Sequence, residues 1–228
     1  MQIFLRDHPS ISATLRRSKR AKQLSLRISS LDGRITITGP HFVPDSTFQD
    51  FFDSKASWIF DNHKNIARVQ VQANADIPVL GRAHVIRHSD LRRITAANGE
   101  ILIPLKSTAI GAQVKGFLKS LARERLAQAS DRYAERIGQS YAGLRLRDTR
   151  SRWGSCTSEG YLMYSWRLVM APPDVLNYVA AHEVAHLLEM NHSAAFWSLV
   201  RDIYGDYDEQ RDWLRKSGNQ LHRYDFNP

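Results

Sequence analysis

The chain of 228 residues is 43% hydrophobic and 24% charged, which excludes a disordered or fibrous protein and suits one large domain or two packed lobes. Its formal net charge of +9 favours anionic partners over cationic ones. Cys156 is the only cysteine, so no intramolecular disulfide forms, and no apolar run reaches the roughly 18 residues of a membrane span. The expectation is a cytoplasmic protein with neither membrane association nor a secretory signal.

The N-terminal segment is the most basic. Arg16-Arg17-Ser18-Lys19-Arg20-Ala21-Lys22 reads as a solvated arm or strand edge, or else as a weak contact for phosphate or nucleic acid. Gln23–Ile28 alternates apolar and polar residues, and Leu31-Asp32-Gly33 turns it into a second strand over Arg34–Thr38. Pro44-Asp45-Ser46 opens a helix whose Phe48, Phe51, Phe52, Trp58 and Ile59 form one wide apolar face for the core. A second hairpin is predicted from Ala83–Arg87 to Ile101–Pro104, turning at Asn98-Gly99.

From Gly111 a helix of about seven turns carries Val114, Phe117, Leu118, Leu121, Leu126 and Tyr133 on its apolar stripe and stops at Gly138. Leu144–Arg150 alternates as a strand, Gly154-Ser155 and Ser158-Glu159-Gly160 read as turns, and Tyr161–Val169 reads as another strand. Pro172-Pro173-Asp174 then starts a long helix, with proline suited to its first turn and Asp174 to its positive end. No internal repeat or low-complexity linker is visible. The predicted fold class is α+β: a β-rich N-terminal lobe over residues 1–110 and a mainly helical lobe over 111–228, in one continuous globular unit.

The last of these helices carries His182-Glu183-Val184-Ala185-His186. Residues four apart share a helix face, so both imidazoles can point at one ion. Neutral imidazole is a good zinc ligand, and a carboxylate beside the open position can take a proton from the zinc-activated water. Random placement of this chain's histidines and glutamates gives roughly 0.01 such windows, so composition does not explain the pattern. Val175, Leu176, Val179, Val184, Leu187 and Leu188 imply burial, where unpaired imidazoles and a carboxylate are costly.

A catalytic zinc needs a third protein ligand. His192 lies six residues beyond His186, and Asn191 can end the helix and swing His192 back toward the metal. Asp202, Asp206 and Glu209 are the alternative ligands. Arg152 and Trp153 read either as a cleft wall that binds substrate or as structural packing. Cys156 is an inert buried thiol or a thiolate able to reach the metal. Tyr161, Tyr164 and Tyr207 are candidate transition-state donors, and Phe196 and Trp197 pack behind the ligands.

The sequence resembles the YgjP-like metal-dependent hydrolases, relatives of the SprT and WLM zinc metallopeptidases. The likeness runs from about Arg16 to Leu221. It rests on Lys19-Arg20-Ala21-Lys22, Arg152-Trp153-Gly154-Ser155-Cys156, Tyr178-Val179 ahead of His182-Glu183-Val184-Ala185-His186-Leu187, Asn191-His192-Ser193-Ala194-Ala195-Phe196-Trp197 and Trp213-Leu214. The chain departs from the family's pattern at Ser165 and Gly205. The resemblance implies a zincin-like catalytic lobe with His192 as third ligand.

The function expected is a zinc-dependent metallopeptidase with one Zn2+ per chain, ligated by His182, His186 and His192, and Glu183 as general base. Its substrate is a polypeptide. The alternatives are a hydrolase of anionic nucleotides or phosphoanhydrides, for which Arg150, Arg152 and Arg167 are the nearest basic residues, and a nucleic-acid-associated module with a structural zinc.

Overall fold

The computed structural model describes residues 1–29, 33–63 and 68–227. The chain divides into two compact units, Met1–Arg68 and Val69–Pro228. The expected lobes met at residue 110, whereas the division falls at 68. The reason lies in the apolar residues of the second strand region. Ile77, Ile86, Ile101 and Ile103 share one continuous core with Val114, Leu118 and Leu126 of the long helix, so burial assigns those strands to the helices that follow them.

The first unit holds strands β1 (Gln2–Phe4), β2 (Ser12–Arg17), β3 (Ser25–Ile28) and β4 (Ile35–Gly39), followed by helices α1 (Asp45–Ser54) and α2 (Ala56–His63). The strands lie in the order β1-β2-β4-β3, with β2 and β4 parallel and the outer pairs antiparallel. Ile35 and Ile37 face a small core with Phe48, Phe52 and Ile59 while Thr36 and Thr38 alternate outward. The turn read at Leu31-Asp32-Gly33 lies outside the described residues except for Gly33. The single helix expected over Phe48–Ile59 is broken at Lys55 into two, and Trp58, expected in the core, is 46% exposed. Trp58 precedes the buried Ile59 by one residue and therefore sits about 100° round the helix from it. Arg17 donates to the carbonyls of His41 and Val43 at 2.8 and 2.6 Å, pairs with Asp45 and lies over the Phe48 ring. This member of the basic run is a structural latch on an interior strand.

The second unit begins with β5 (Val69–Gln70), then β6 (Asp76–Val79), β7 (Arg82–Ser89), β8 (Thr95–Ala97) and β9 (Glu100–Pro104). Their sheet runs β6-β7-β9-β8. The predicted hairpin between Ala83–Arg87 and Ile101–Pro104 is corrected here: β7 and β9 are parallel. The hairpin at Asn98-Gly99 instead joins β8 to β9, and the φ angles of 52° and 77° at those two residues are those of a tight two-residue turn.

Helix α3 (Ile110–Arg136) packs its stripe of Val114, Leu118, Ala122, Leu126 and Tyr133 inward. Strands β10 (Gly143–Arg147), β11 (Gly154–Cys156) and β12 (Tyr161–Ser165) form a small sheet with β12 in the middle. Two expectations fail. Gly154-Ser155 is the start of an edge strand and not a turn. The strand expected to Val169 ends at Ser165, because Trp166–Met170 is a 3-10 turn buried on every side, an environment a two-faced strand does not provide. Helix α4 (Pro173–Ala185), α5 (Ala194–Tyr204) and α6 (Asp208–Ser217) follow, and β13 (Tyr224–Asp225) closes the unit by pairing in parallel with β5. Among the described residues no helix is long and apolar enough to cross a membrane.

Candidate metal centre

Helix α4 places the site. Pro173 at its first turn and Asp174 beside its N-terminus start it, and Val175, Val179, Ala180 and Val184 bury it in the core. It ends at Ala185, earlier than the stop expected at Asn191. His186 is the cap, with helical φ and ψ of −65° and −13°, so the four-residue spacing from His182 survives. Leu188, expected to be buried, lies beyond this end and is 49% exposed.

The chain then returns. Ser193 caps α5 by accepting from the Phe196 N–H at 3.3 Å, which fixes His192 immediately before the helix and Phe196 within it. One ring nitrogen from each of His182, His186 and His192 lies within 4.8 Å of the others. The Nε2 atoms of His182 and His192 are 3.1 Å apart; two nitrogens bound to one tetrahedral ion at about 2.0–2.1 Å stand roughly 3.3 Å apart. His186 donates from Nδ1 to the Glu189 carbonyl at 2.9 Å, which leaves its Nε2 lone pair free for a metal. Burial pushes the His182 pKa down to about 3, helped by His186, His192 and Arg211, and burial likewise lowers that of His186. Neutral imidazoles converging at this spacing fit a divalent cation. Asp202, Asp206 and Glu209 are exposed and do not join the cluster.

Aromatic rings back the three histidines. Phe196 stacks on His186 at 4.5 Å and meets the edges of His182 and His192 at 4.9 and 4.8 Å. Trp197 stacks on His192 at 5.6 Å, and Tyr207 bridges Trp197 to Tyr178 at 5.5 Å on each side.

Glu183, next to His182 in sequence and about 60° round the helix from His186, packs against β11 and is 6% exposed. Its burial raises the pKa to about 8, against the opposing charge of Arg152. Gly154 lies directly beneath it: a Cβ there would stand 2.7 Å from Glu183 Cδ. The carboxylate therefore occupies the space a side chain on β11 would fill. The sequence had marked Gly154 only as a turn, and its packing against Glu183 depends on a pairing that no local pattern announces.

The remaining candidates separate. Arg152 is exposed, with its charge reaching Glu183. Trp153 is turned into the core beside His222 at 5.3 Å and against Gly218. Cys156 lies outside the His cluster, and burial with the Glu183 charge raises its pKa to about 11. Tyr164 is fully buried with its hydroxyl 3.0 Å from Ser130 Oγ, Tyr161 is exposed beneath Arg145, and Tyr207 is held in the aromatic stack. Arg211, which the sequence reading passed over, sits across Trp197 at 5.0 Å, and its charge reaches His182. Arg167 is engaged elsewhere: it pairs with Asp148 at 2.7 Å and donates to the Leu221 and Tyr224 carbonyls at 2.8 and 3.3 Å.

Comparison with known proteins gives a match to the YgjP-like, metallopeptidase domain over residues 22–217. Among solved structures, the metallopeptidase zymogen of Pyrococcus abyssi abylysin is similar over 41% of this chain and 95% of its own length, at 18% identity and a TM-score of 0.37. No curated protein matches.

Proposed function

The chain belongs to the YgjP-like metallopeptidase family, and from that premise we propose that it is a mononuclear zinc peptidase with His182, His186 and His192 as ligands and Glu183 as general base. The observation that carries the reading is the convergence of three imidazoles within 4.8 Å beside a buried carboxylate. When bound, zinc supplies a Lewis acid for the scissile carbonyl and acidifies the attacking water to a pKa of about 7. Glu183 takes the proton from that water and returns it to the leaving amine, tasks for which a carboxylate titrating near neutrality is suited.

A polypeptide substrate fits the edge of the small sheet. The Trp153 carbonyl and the Thr157 N–H face β12 at 2.8 and 3.0 Å, and antiparallel alternation turns the main-chain groups of Gly154 and Cys156 away from it. An extended peptide can pair along that outer edge beside Glu183. β11 and not β12 offers this edge, because β12 has a neighbour on both sides. Arg152 is placed to hold an acidic group of the substrate, and Trp153 supports the wall from within. The nucleotide alternative loses Arg167 to its ion pair with Asp148.

The test uses zinc-loaded protein and an unfolded polypeptide. Glu183→Gln is expected to keep about one zinc per chain and to lose about 10²-fold or more in turnover. Unchanged turnover, or Glu183-dependent phosphate release from a nucleoside triphosphate without peptide cleavage, overturns the proposal.

A further inference from the structure

At the end of α4 remote from the histidines, two cavities adjoin. One of about 520 Å³ lies between the β6–β9 sheet and α3, and one of about 260 Å³ lies between α3 and α4. Leu80, Arg125 and Pro173 line both, so they form one groove of a size usual for ligand sites. Its floor is apolar, from Val79, Leu80, Phe117, Leu121 and Leu176. Its rim is basic: Arg82, His84 and Arg125 around the larger cavity, Arg125 and Arg132 around the smaller. Among the described residues no Asp or Glu lines either. Arg132 is tied to the Tyr133 hydroxyl and Asn177 Oδ1 at 3.2 Å each, whereas no ion pair engages Arg82 or Arg125 among the described residues.

The groove is built rigidly. Leu80 holds a φ of 50°, unusual for a branched side chain, and its N–H donates to the Val169 carbonyl at 2.7 Å. The neighbouring Gly81 is pressed so closely on Pro172 that a Cβ would meet Pro172 Cα at 2.9 Å. Backbone held in a sparse region in the lining of a concave site is strain of the kind that marks functional positions.

We propose that this groove is an exosite that captures acidic, aliphatic segments of the polypeptide substrate, an inference that rests on the peptidase reading above. Charge decides the sign of the partner: a cluster of arginines without a facing carboxylate attracts anions and repels the cationic segments of other chains. The floor decides its class. It is mainly aliphatic with Phe117 as its one ring, which suits Leu and Val side chains and lacks the successive aromatics on which nucleic-acid bases stack. Pro173 and His182 are nine residues apart on α4, about 13 Å along the helix, so a few extended residues bridge exosite and metal centre.

The experiment measures binding without hydrolysis. Zinc-loaded Glu183→Gln protein is titrated against a fluorescent peptide of alternating Glu and Leu, and anisotropy is followed. The peptide binds, more weakly as salt rises, and the added double substitution Arg82→Glu/Arg125→Glu weakens it about tenfold or more. Arg125→Gln gives a smaller loss in the same direction, and zinc content and melting temperature show that each variant is folded. A Lys-Leu peptide does not bind. Unchanged affinity in both Arg variants overturns the exosite, and tighter, Arg125-dependent binding of a single-stranded oligonucleotide reassigns the groove to nucleic acid. Because no turnover is read, failure here leaves the zinc-peptidase reading standing, and failure of the Glu183 turnover test leaves this binding measurable.

Discussion

The two four-stranded sheets, β1-β2-β4-β3 and β6-β7-β9-β8, share one pairing scheme: antiparallel, parallel, antiparallel. Their sequences show no repeat, yet the backbone is woven the same way twice. The difference lies in what covers them. The first sheet closes on Phe48, Phe52 and Ile59 in a self-contained core. The second feeds Ile77, Ile86, Ile101 and Ile103 into a core that runs through α3 to Val179, Ala180 and Val184 on α4, the helix of His182 and His186. An identical weave is thus a closed module in one place and the foundation of a reactive centre in the other. What packs on a sheet sets its task.

Two tight glycines give the largest contrast. Gly154→Ala pushes a methyl group against Glu183, and displacing a base by about 1 Å can cost 10²-fold. Turnover is expected to fall by about that much with zinc content unchanged, read by kcat/KM and elemental analysis. Gly39 is equally crowded, since a Cβ would stand 2.7 Å from Phe48 Cζ. Gly39→Ala is expected to destabilise by about 1–3 kcal/mol through overpacking while peptide turnover stays near wild type. Equal catalytic loss in both variants breaks the comparison.

Core truncations come next. Ile37 and Ile103 are both fully buried, and alanine at either is expected to cost about 2–5 kcal/mol by denaturant titration. Only Ile103→Ala is expected to weaken zinc affinity as well, measured by competition with a chelator, because its core is continuous with α4. Smaller still, Asp148→Asn removes the negative charge that faces Arg167, whose side chain is 10% exposed against 40% for Asp148. A loss of about 1–3 kcal/mol is expected for a nearly buried cation left with carbonyl partners alone. Burial alone would raise the Asp148 pKa, but the Arg167 hydrogen bond and charge override it and hold it low.

The smallest effect is a slope. Burial, reinforced by Arg167 and opposed by Asp148, lowers the His222 pKa to about 4, below its unfolded value of about 6.5. The folded state therefore prefers the neutral ring. Its contribution is intact above about pH 6.5 and is lost as pH falls toward 4, where the unfolded chain takes up the proton first. His222→Gln is expected to flatten the pH dependence of the melting temperature across that window, and an unchanged slope refutes the assignment.

The clustering of the three histidines was the most legible part of the sequence, because its information is local: His182 and His186 share a helix face, and His192 follows six residues on. The helices were legible for the same reason, through the stripe on α3 and the prolines before α4. What stayed hidden was nonlocal. Parallel pairing of β7 with β9 leaves no turn signal of its own, so Asn98-Gly99 was credited to the wrong strands. β11 is three residues long, too short for alternation to declare itself, and with it went the position of Gly154 under Glu183. Trp58 and Leu188 were assigned by residue type, yet Trp58 lies round the helix from Ile59 and Leu188 lies beyond the end of α4.

The pairing of β5 with β13 has a consequence in time. Val71 donates to the Asp225 carbonyl at 2.9 Å, and Gln70 reaches Asn227, so the first strand of the catalytic unit stays without its partner until residue 225 has been synthesised. At about 5–20 residues per second, the wait from residue 70 is roughly ten to thirty seconds, far longer than a helix takes to form. Arg167 waits too, since two of its three hydrogen-bond partners are the carbonyls of Leu221 and Tyr224. The nascent chain can hold α4 and its histidines well before the unit that positions them is sealed. A long loop is thereby closed last, and the newborn enzyme meets the ribosome exit as an unlatched form.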